Sequence, residues 1–366
     1  MKEKLTAEIR EVMEAVHYRP AVSIIIPFEP KISLVVTVQK ELKYAIDKVE
    51  KQLKAQYPPD QTAAVIQRIA ALTKEIEIPP RKKGLALFAS PLFSKLLFLD
   101  AEVPARIVID ESFEIRDLVF SRKEQMQYLL FLLSSEHCKM YLGSQEGLLQ
   151  VKFESPDSLE AYWIDAADRV SNFSDPEAHK SNQVEKFIRQ MDRELTQLAQ
   201  QYRIPIFVMG SKTILGLFKT ITHNDTAVAG YTEGNFDAAT EPQLLRAVEP
   251  VVYAWKRKRQ NELLQQIEQA ANEKKLAIGI QDVWTAAFEK NGRLLIVEKG
   301  FSAAGEHVAD GKIVYKPTAE SNEFHLANDV VDDVIERVLQ NGGDVAFTDD
   351  GLLQQQQHIV LLKFYA

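Results

Sequence analysis

The sequence predicts a mixed α/β protein with α+β character, built as three successive domains. Short apolar, β-branched runs of strand length alternate with longer stretches whose apolar residues recur every three to four positions, the pattern of amphipathic helices. That alternation restarts twice, dividing the chain into 1–125, 126–255 and 256–366. A chain of 366 residues also exceeds what one hydrophobic core ordinarily organises.

In the first domain an opening helix precedes Ala21–Pro27, a β-branched apolar run expected to be a buried strand. Residues Val38 to Gln56 predict a helix, with Leu42, Ile46, Val49 and Leu53 on one stripe. Tyr57-Pro-Pro-Asp60 ends it, because proline lacks the amide proton that helix continuation needs. A second helix over Gln61–Ile76 and short strands at Gly84–Ala89, Lys95–Leu99 and Arg106–Ile109 complete the domain.

The second domain starts with three strands, Tyr128–Leu133, Cys138–Leu142 and Leu148–Phe153, joined by polar turns as a meander. A polar passage, Glu154–Ser181, is expected to be loop with local helix. A strongly amphipathic helix then carries Val184, Phe187, Ile188, Met191, Leu195 and Leu198 on one face. A strand at Ile206–Met209, a helix at Ile214–Ile221 and a strand at Ala227–Gly230 follow. Three hairpin strands and then αβαβ suit a ribonuclease-H-like layout.

From Glu241 to about Lys275 the pattern is one long helical stretch, expected to be interrupted at Pro250. The last domain reads as a small αβα layer. Its elements are a helix near Asp282–Lys290, a strand at Arg293–Val297, a hairpin arm near Lys312–Lys316, a helix at Asn328–Gln340, and strands at Val345–Phe347 and Ile359–Phe364.

Charge narrows the partners. The net charge is −8, distributed as 20 Lys/Arg against 18 Asp/Glu in 1–125, 11 against 17 in 126–255, and 13 against 17 in 256–366. A dedicated duplex-DNA binder would carry a basic excess, so DNA is not an expected partner, and any nucleic-acid contact must be local. No apolar run approaches the roughly 18 residues of a membrane span, and the N-terminus lacks the apolar core of an export signal. A single cysteine, Cys138, permits no disulfide within the chain. A cytoplasmic location and no membrane partner are expected.

Against that layout, several stretches resemble a known family. Asn341-Gly-Gly-Asp-Val345, Gly351-Leu-Leu353 and the closing His358–Tyr365 are similar to the C-terminal ending of the archaeo-eukaryotic release factors and Pelota. Phe187–Leu195, Pro205–Gly210, Val22–Pro27 and Gly84–Phe88 resemble the bacterial branch called family 3. The resemblance spans essentially the whole chain. It implies a ribonuclease-H-like middle domain, a C-terminal domain of the kink-turn-binding ribosomal protein type, and the ribosome or tRNA as partner. It also implies a protein partner at the C-terminal domain, such as a translational GTPase.

Release factors carry Gly-Gly-Gln at the start of the middle-domain helix, where the glutamine enters the peptidyl-transferase centre. This sequence reads Lys180-Ser-Asn-Gln-Val-Glu185 there, without either glycine. Two readings of the segment stand. Asn182 with Glu185 three residues on matches a helix capping box. Alternatively, Gln183 is the candidate for a reacting group, which would make the chain a hydrolase of peptidyl-tRNA or RNA. The expectation is a non-catalytic translation factor with a rescue or hibernation role.

The RNA-binding candidates are cationic. Lys40, Lys43, Lys51 and Lys54 share a helix face opposite the apolar stripe. Arg81, Lys82 and Lys83 lie in a loop beside the first domain's strands. Lys256, Arg257, Lys258 and Arg259 form the most concentrated basic run, in which adjacent cations repel unless anions compensate. The lysine face of the helix and Arg81–Lys83 read first as solvated surfaces, while for Lys256–Arg259 RNA contact and pairing with the acidic middle domain both stand. Gly210-Ser-Lys-Thr213 lacks the glycine that a phosphate-binding loop needs before its lysine, and reads as a simple strand–helix turn. The scattered histidines support no zinc site, and no metal or cofactor is expected.

Overall fold

The computed structural model describes residues 7–15, 20–29, 34–74, 76–144, 147–165, 176–303, 305–308, 312–315 and 329–366. Two compact units are present, one formed by Met1–Gln125 with Leu264–Ala366 and the other by Met126–Leu263.

The N-terminal part of the first unit runs α1 (Ala7–Glu14), β1 (Ala21–Pro27), α2 (Leu34–Gln56), α3 (Pro59–Thr73), β2 (Gly84–Ala89), β3 (Ser94–Leu99), β4 (Arg106–Asp110) and α4 (Arg116–Glu124). The sheet is antiparallel in the order β3-β2-β1-β4. Strand β1 is apolar at nearly every position because layers cover both of its faces. Val22, Ile24 and Ile26 meet α2 and α3, where Val38, Leu42, Val49, Leu53, Val65 and Ile69 close the layer. Ala21 and Ile25 point the other way, into a core shared with α1, α4 and the chain's C-terminal segment.

The second unit contains β5 (Tyr128–Leu133), β6 (Cys138–Ser144), β7 (Gly147–Val151), α5 (Leu159–Asp165), α6 (Pro176–Tyr202), β8 (Ile206–Gly210), α7 (Lys212–Ile221) and β9 (Val228–Glu233). Helix α8 (Glu241–Asn272) begins there, and its closing turns belong to the first unit. The sheet order is β7-β6-β5-β8-β9, antiparallel across β7-β6-β5 and parallel across β5-β8-β9. Helices α6 and α7 cover one face through Phe187, Ile188, Met191, Leu195, Ile214 and Phe218. Leu244 and Val248 of α8 cover the other. The expected interruption at Pro250 is not there: α8 continues through it. Proline removes a single helical hydrogen bond. Val251, Val252 and Trp255 beyond it pack against the same layer as Leu244 and Val248, so tertiary contacts hold both sides in register.

The C-terminal segment adds β10 (Leu276–Ile278), α9 (Gly279–Phe288), β11 (Gly292–Glu298), a hairpin of β12 (Gly305–Val308) and β13 (Lys312–Tyr315), α10 (Val330–Gln340), β14 (Asp344–Thr348) and β15 (Ile359–Lys363). Its sheet order is β10-β15-β11-β14, with only β11-β14 parallel. The Asn341-Gly-Gly stretch ends α10 in a Schellman turn, in which Gly342 N–H donates to the Leu339 carbonyl and Gly343 N–H to that of Val338. Gly342 has φ +77°, and a Cβ on Gly343 would lie 2.5 Å from the Gly292 carbonyl oxygen. Those demands account for both glycines.

The two parts of the first unit are joined by a buried charge cluster. Asp329 Oδ2 accepts from Arg106 Nη1 at 2.9 Å and from Arg116 Nη1 at 2.8 Å, while Arg116 Nη2 donates to the Lys299 carbonyl. The N-terminus of α4 has no side-chain cap of its own. Asp332 supplies one from 216 residues away, accepting from the amides of Ile115 and Arg116. Phe120 meets Phe347 edge-on, with ring centroids 5.2 Å apart.

Around these two arginines lie four buried carboxyls: Glu114, Asp117, Asp329 and Asp332. Burial pushes Glu114, Asp117 and Asp332 upward, and neighbouring carboxylates push Glu114 further. Glu336, near Asp332, Asp333, Arg337 and Ser112, is raised by burial and by Asp333 from 4.5 to about 7. A carboxyl with a raised folded-state pKa holds its proton more tightly when folded. Its stabilising contribution is complete below the ordinary value and is lost as pH rises through the folded value. The first unit should therefore weaken between pH 4.5 and about 7. Glu336→Gln should flatten that slope in urea unfolding followed by Trp284 fluorescence, with Trp163 and Trp255 replaced by phenylalanine. An unchanged slope would remove Glu336 from the account.

Candidate nucleic-acid interface

The expected cationic clusters have different environments. On α2, Lys40, Lys43, Lys51 and Lys54 all lie exposed on the side away from Val38, Leu42, Val49 and Leu53. Their face is not purely basic, because helical spacing places Asp47 and Glu50 among them. Lys54 pairs with Glu50 at 2.6 Å. Tyr44, 53% exposed, shares this face and belongs to it by the same spacing.

In the loop, Lys82 forms an ion pair with Asp100, and Lys83 lies 3.5 Å from Glu102. Arg81 is exposed with φ +67°, placing it at the turn into β2. Two of these three cations therefore have intramolecular partners.

The run Lys256–Arg259 does not form one patch. Four consecutive helical residues point about 100° apart and so ring the helix. Lys256 is half-buried, whereas Arg257 and Lys258 are exposed. Arg259 lies 5.8 Å from the Trp255 ring centroid and 3.4 Å from Glu262. What the run contributes is a set of separate cations, and Arg257 falls on the same outward line as Arg246 and Tyr253. Neither Arg246 nor Tyr253 stands out as a motif. Their spacing of seven and then four residues to Arg257 is the signal that marks the line.

Gln183 is half-buried in α6, and its context differs from the expectation. The helix begins at Pro176, so Asn182 lies inside it and cannot cap it. Proline at the first helical position costs no hydrogen bond, which moves the start upstream of the capping-box sequence. Glu185 pairs with Arg189 at 2.8 Å instead of folding back on a cap. Further along α6, Asp192 accepts from the Thr222 hydroxyl, the His223 amide and Asn224 Nδ2, tying the helix to the turn before β9. Glu194 accepts from the Ser155 hydroxyl at 2.7 Å. Asp192 and Glu194 thus hold loops in place.

At Gly210-Ser-Lys-Thr213, Ser211 Oγ caps α7 by accepting from the Ile214 amide. Cys138 is buried, and desolvation pushes its thiol pKa up. Among the described residues no group of three or more His, Cys, Asp or Glu could hold a metal ion, and no helix is long and apolar enough to cross a membrane.

The middle of the chain is similar to a release-factor family. Residues 127–291 match the family model described as bacterial archaeo-eukaryotic release factor family 3. No curated protein matches the chain. Among solved structures, the chain is similar to archaeal Pelota in a model of ribosome-bound Pelota and ABCE1, at 10% identity and TM-score 0.46, covering 100% of this chain and 95% of that one. It is similar to Archaeoglobus fulgidus Pelota at 9% identity and TM-score 0.34, covering 100% and 94%. The archaeal translation termination factor aRF1 aligns at 13% identity and TM-score 0.26, covering 98% and 97%.

Proposed function

We propose that this protein is a translation factor that associates with the ribosome or tRNA without hydrolysing peptidyl-tRNA, acting in rescue or hibernation. The family match over 127–291 carries the reading. Its non-hydrolytic half is supported by the segment Lys180–Glu185, which lacks both glycines and lies within α6. A helical backbone leaves no flexible turn to project Gln183, and glycine is the residue that admits such a turn at little cost.

The division into 1–125, 126–255 and 256–366 remains part of this reading. The strand order β7-β6-β5-β8-β9 supports a ribonuclease-H-like middle domain. The β10-β15-β11-β14 sheet with α9 and α10 supports an αβα C-terminal domain of the kink-turn-binding type, available to a protein partner. The exposed cations of α2 and α8, with Arg81, are the proposed RNA contacts, and the cytoplasm is the proposed location.

Sucrose-gradient sedimentation tests the reading. The protein should travel with ribosomes at low salt and be released steeply as salt rises, because phosphate contacts release counterions. Gln183→Ala should co-sediment as the wild type does, with peptidyl-tRNA left intact by both. A wild-type protein that stays at the top of the gradient at low salt defeats the proposal. Peptidyl-tRNA hydrolysis abolished by Gln183→Ala would establish the hydrolase reading instead.

A further inference from the structure

Helix α8 has two lines of residues with the same spacing on opposite sides. Leu244, Val248, Val251 and Trp255, at offsets of four, seven and eleven, pack toward the sheet of the second unit. Arg246, Pro250, Tyr253 and Arg257 repeat those offsets two residues later and are all exposed. Tyr253 is 63% exposed on a helix whose opposite side is packed. At about 1.5 Å per residue, Arg246 lies about 10 Å before Tyr253 along the axis and Arg257 about 6 Å after it.

Charge decides what such a line suits. From Arg246 to Asn261 there are five cations and a single anion, Glu249, in a chain whose net charge is −8. The α2 face also has an exposed tyrosine, but Asp47 and Glu50 lie among its lysines. Arginines differ from lysines in offering a planar fork that matches phosphate oxygens. An exposed ring between two such groups combines the elements of a single-strand platform: a π-face on which any base can stack and cations for the flanking phosphates. A protein hot spot instead centres its aromatic in a ring of desolvating apolar neighbours. By helical spacing the neighbours of Tyr253 at three and four residues are Glu249, Pro250, Lys256 and Arg257, of which only Pro250 is apolar.

We infer that the Arg246–Tyr253–Arg257 line of α8 is a single-stranded RNA platform, with Tyr253 stacking a base and the two arginines holding phosphates on either side. The inference rests on the RNA-associated reading above and narrows it to one helix face and one form of RNA.

The test uses the full-length protein and a fluorescein-labelled 12-nucleotide oligouridine, with an RNA hairpin duplex of equal length as control, read by anisotropy across a salt series. Tyr253→Ala should weaken oligouridine binding about ten-fold, while Tyr253→Phe keeps it. The double variant Arg246→Glu/Arg257→Glu should lower the slope of log affinity against log salt by about two. The hairpin should bind more weakly than the single strand, because its bases are already stacked.

Several results would overturn the platform: no oligouridine binding by the wild type at low salt, wild-type affinity in Tyr253→Ala, or an unaltered slope in the double variant. Loss of a stoichiometric protein partner from these variants with RNA affinity unchanged would assign the face to protein and likewise overturn it. Ribosome sedimentation separates this inference from the broader one. If the wild type sediments with ribosomes and Tyr253→Ala binds oligouridine normally, the platform fails and the translation-factor reading stands. If the wild type neither sediments nor binds RNA, both fail.

Discussion

Arg116→Ala should destabilise the first unit by about 3–5 kcal/mol, the usual cost of removing one partner from a buried ion pair. The guanidinium is 2% exposed and forms two hydrogen bonds, one to Asp329 and one to the Lys299 carbonyl. Taking it away leaves a backbone acceptor without its donor. It also leaves Asp329 and Asp117 with Arg106 as their remaining cationic partner, in a buried site. The cost is that of the stranded charge rather than the intrinsic worth of the pair, so pairing Arg116→Met with Asp329→Asn should recover part of it. Urea unfolding followed by Trp284, which is 3% exposed and lies in the first unit's core, gives the measurement. A loss below about 1 kcal/mol would mean that the cluster contributes no more than a surface ion pair.

Phe131→Ala should cost the second unit a similar amount, about 3–5 kcal/mol, through a different mechanism. Strand β5 is the central strand of its sheet, and Phe131 is fully buried at its middle. Its ring centroid lies 5.7 Å from that of Phe218 and 6.5 Å from that of Phe153, both edge-on. Alanine would lose the buried area and leave a cavity between sheet and helices that the strand, paired on both sides, cannot collapse to fill. Phe131→Leu keeps most of the volume and should cost less than about 1.5 kcal/mol. The readout is Trp255 fluorescence with Trp163 and Trp284 replaced by phenylalanine, since Trp255 packs at 6.5 Å on Phe207 of the same sheet. Equal losses for the alanine and leucine variants would argue against a cavity as the cause.

Much of the candidate surface was legible in the sequence. Periodicity sets the four α2 lysines opposite the apolar stripe, and they lie exposed there. The Lys256–Arg259 run was conspicuous for the wrong reason. Adjacency in sequence suggests one patch, but a helix disperses adjacent residues around its axis. The outward line through Arg246, Tyr253 and Arg257 was written in the same sequence at helical spacing, diluted by the residues between. Asn182 failed as a cap because capping-box patterns also occur within helices, and Pro176 was a better start.

What the sequence by itself determined are properties set by near neighbours: strands where apolar β-branched runs occur, helices where apolar residues recur at 3.6, and an end to α10 where two glycines follow Asn341. These depend on φ/ψ preference and on which side of an element is apolar, both readable within a window of a dozen residues. Only the tertiary structure decided that Arg116 would meet Asp329 across 213 residues, or that Asp332 would cap a helix in another part of the chain. It also decided that α8 would run on through Pro250. Those outcomes depend on which surfaces the chain path brings together, and burial then turns an ordinary Arg, Asp or Glu into a group that must find its partner there.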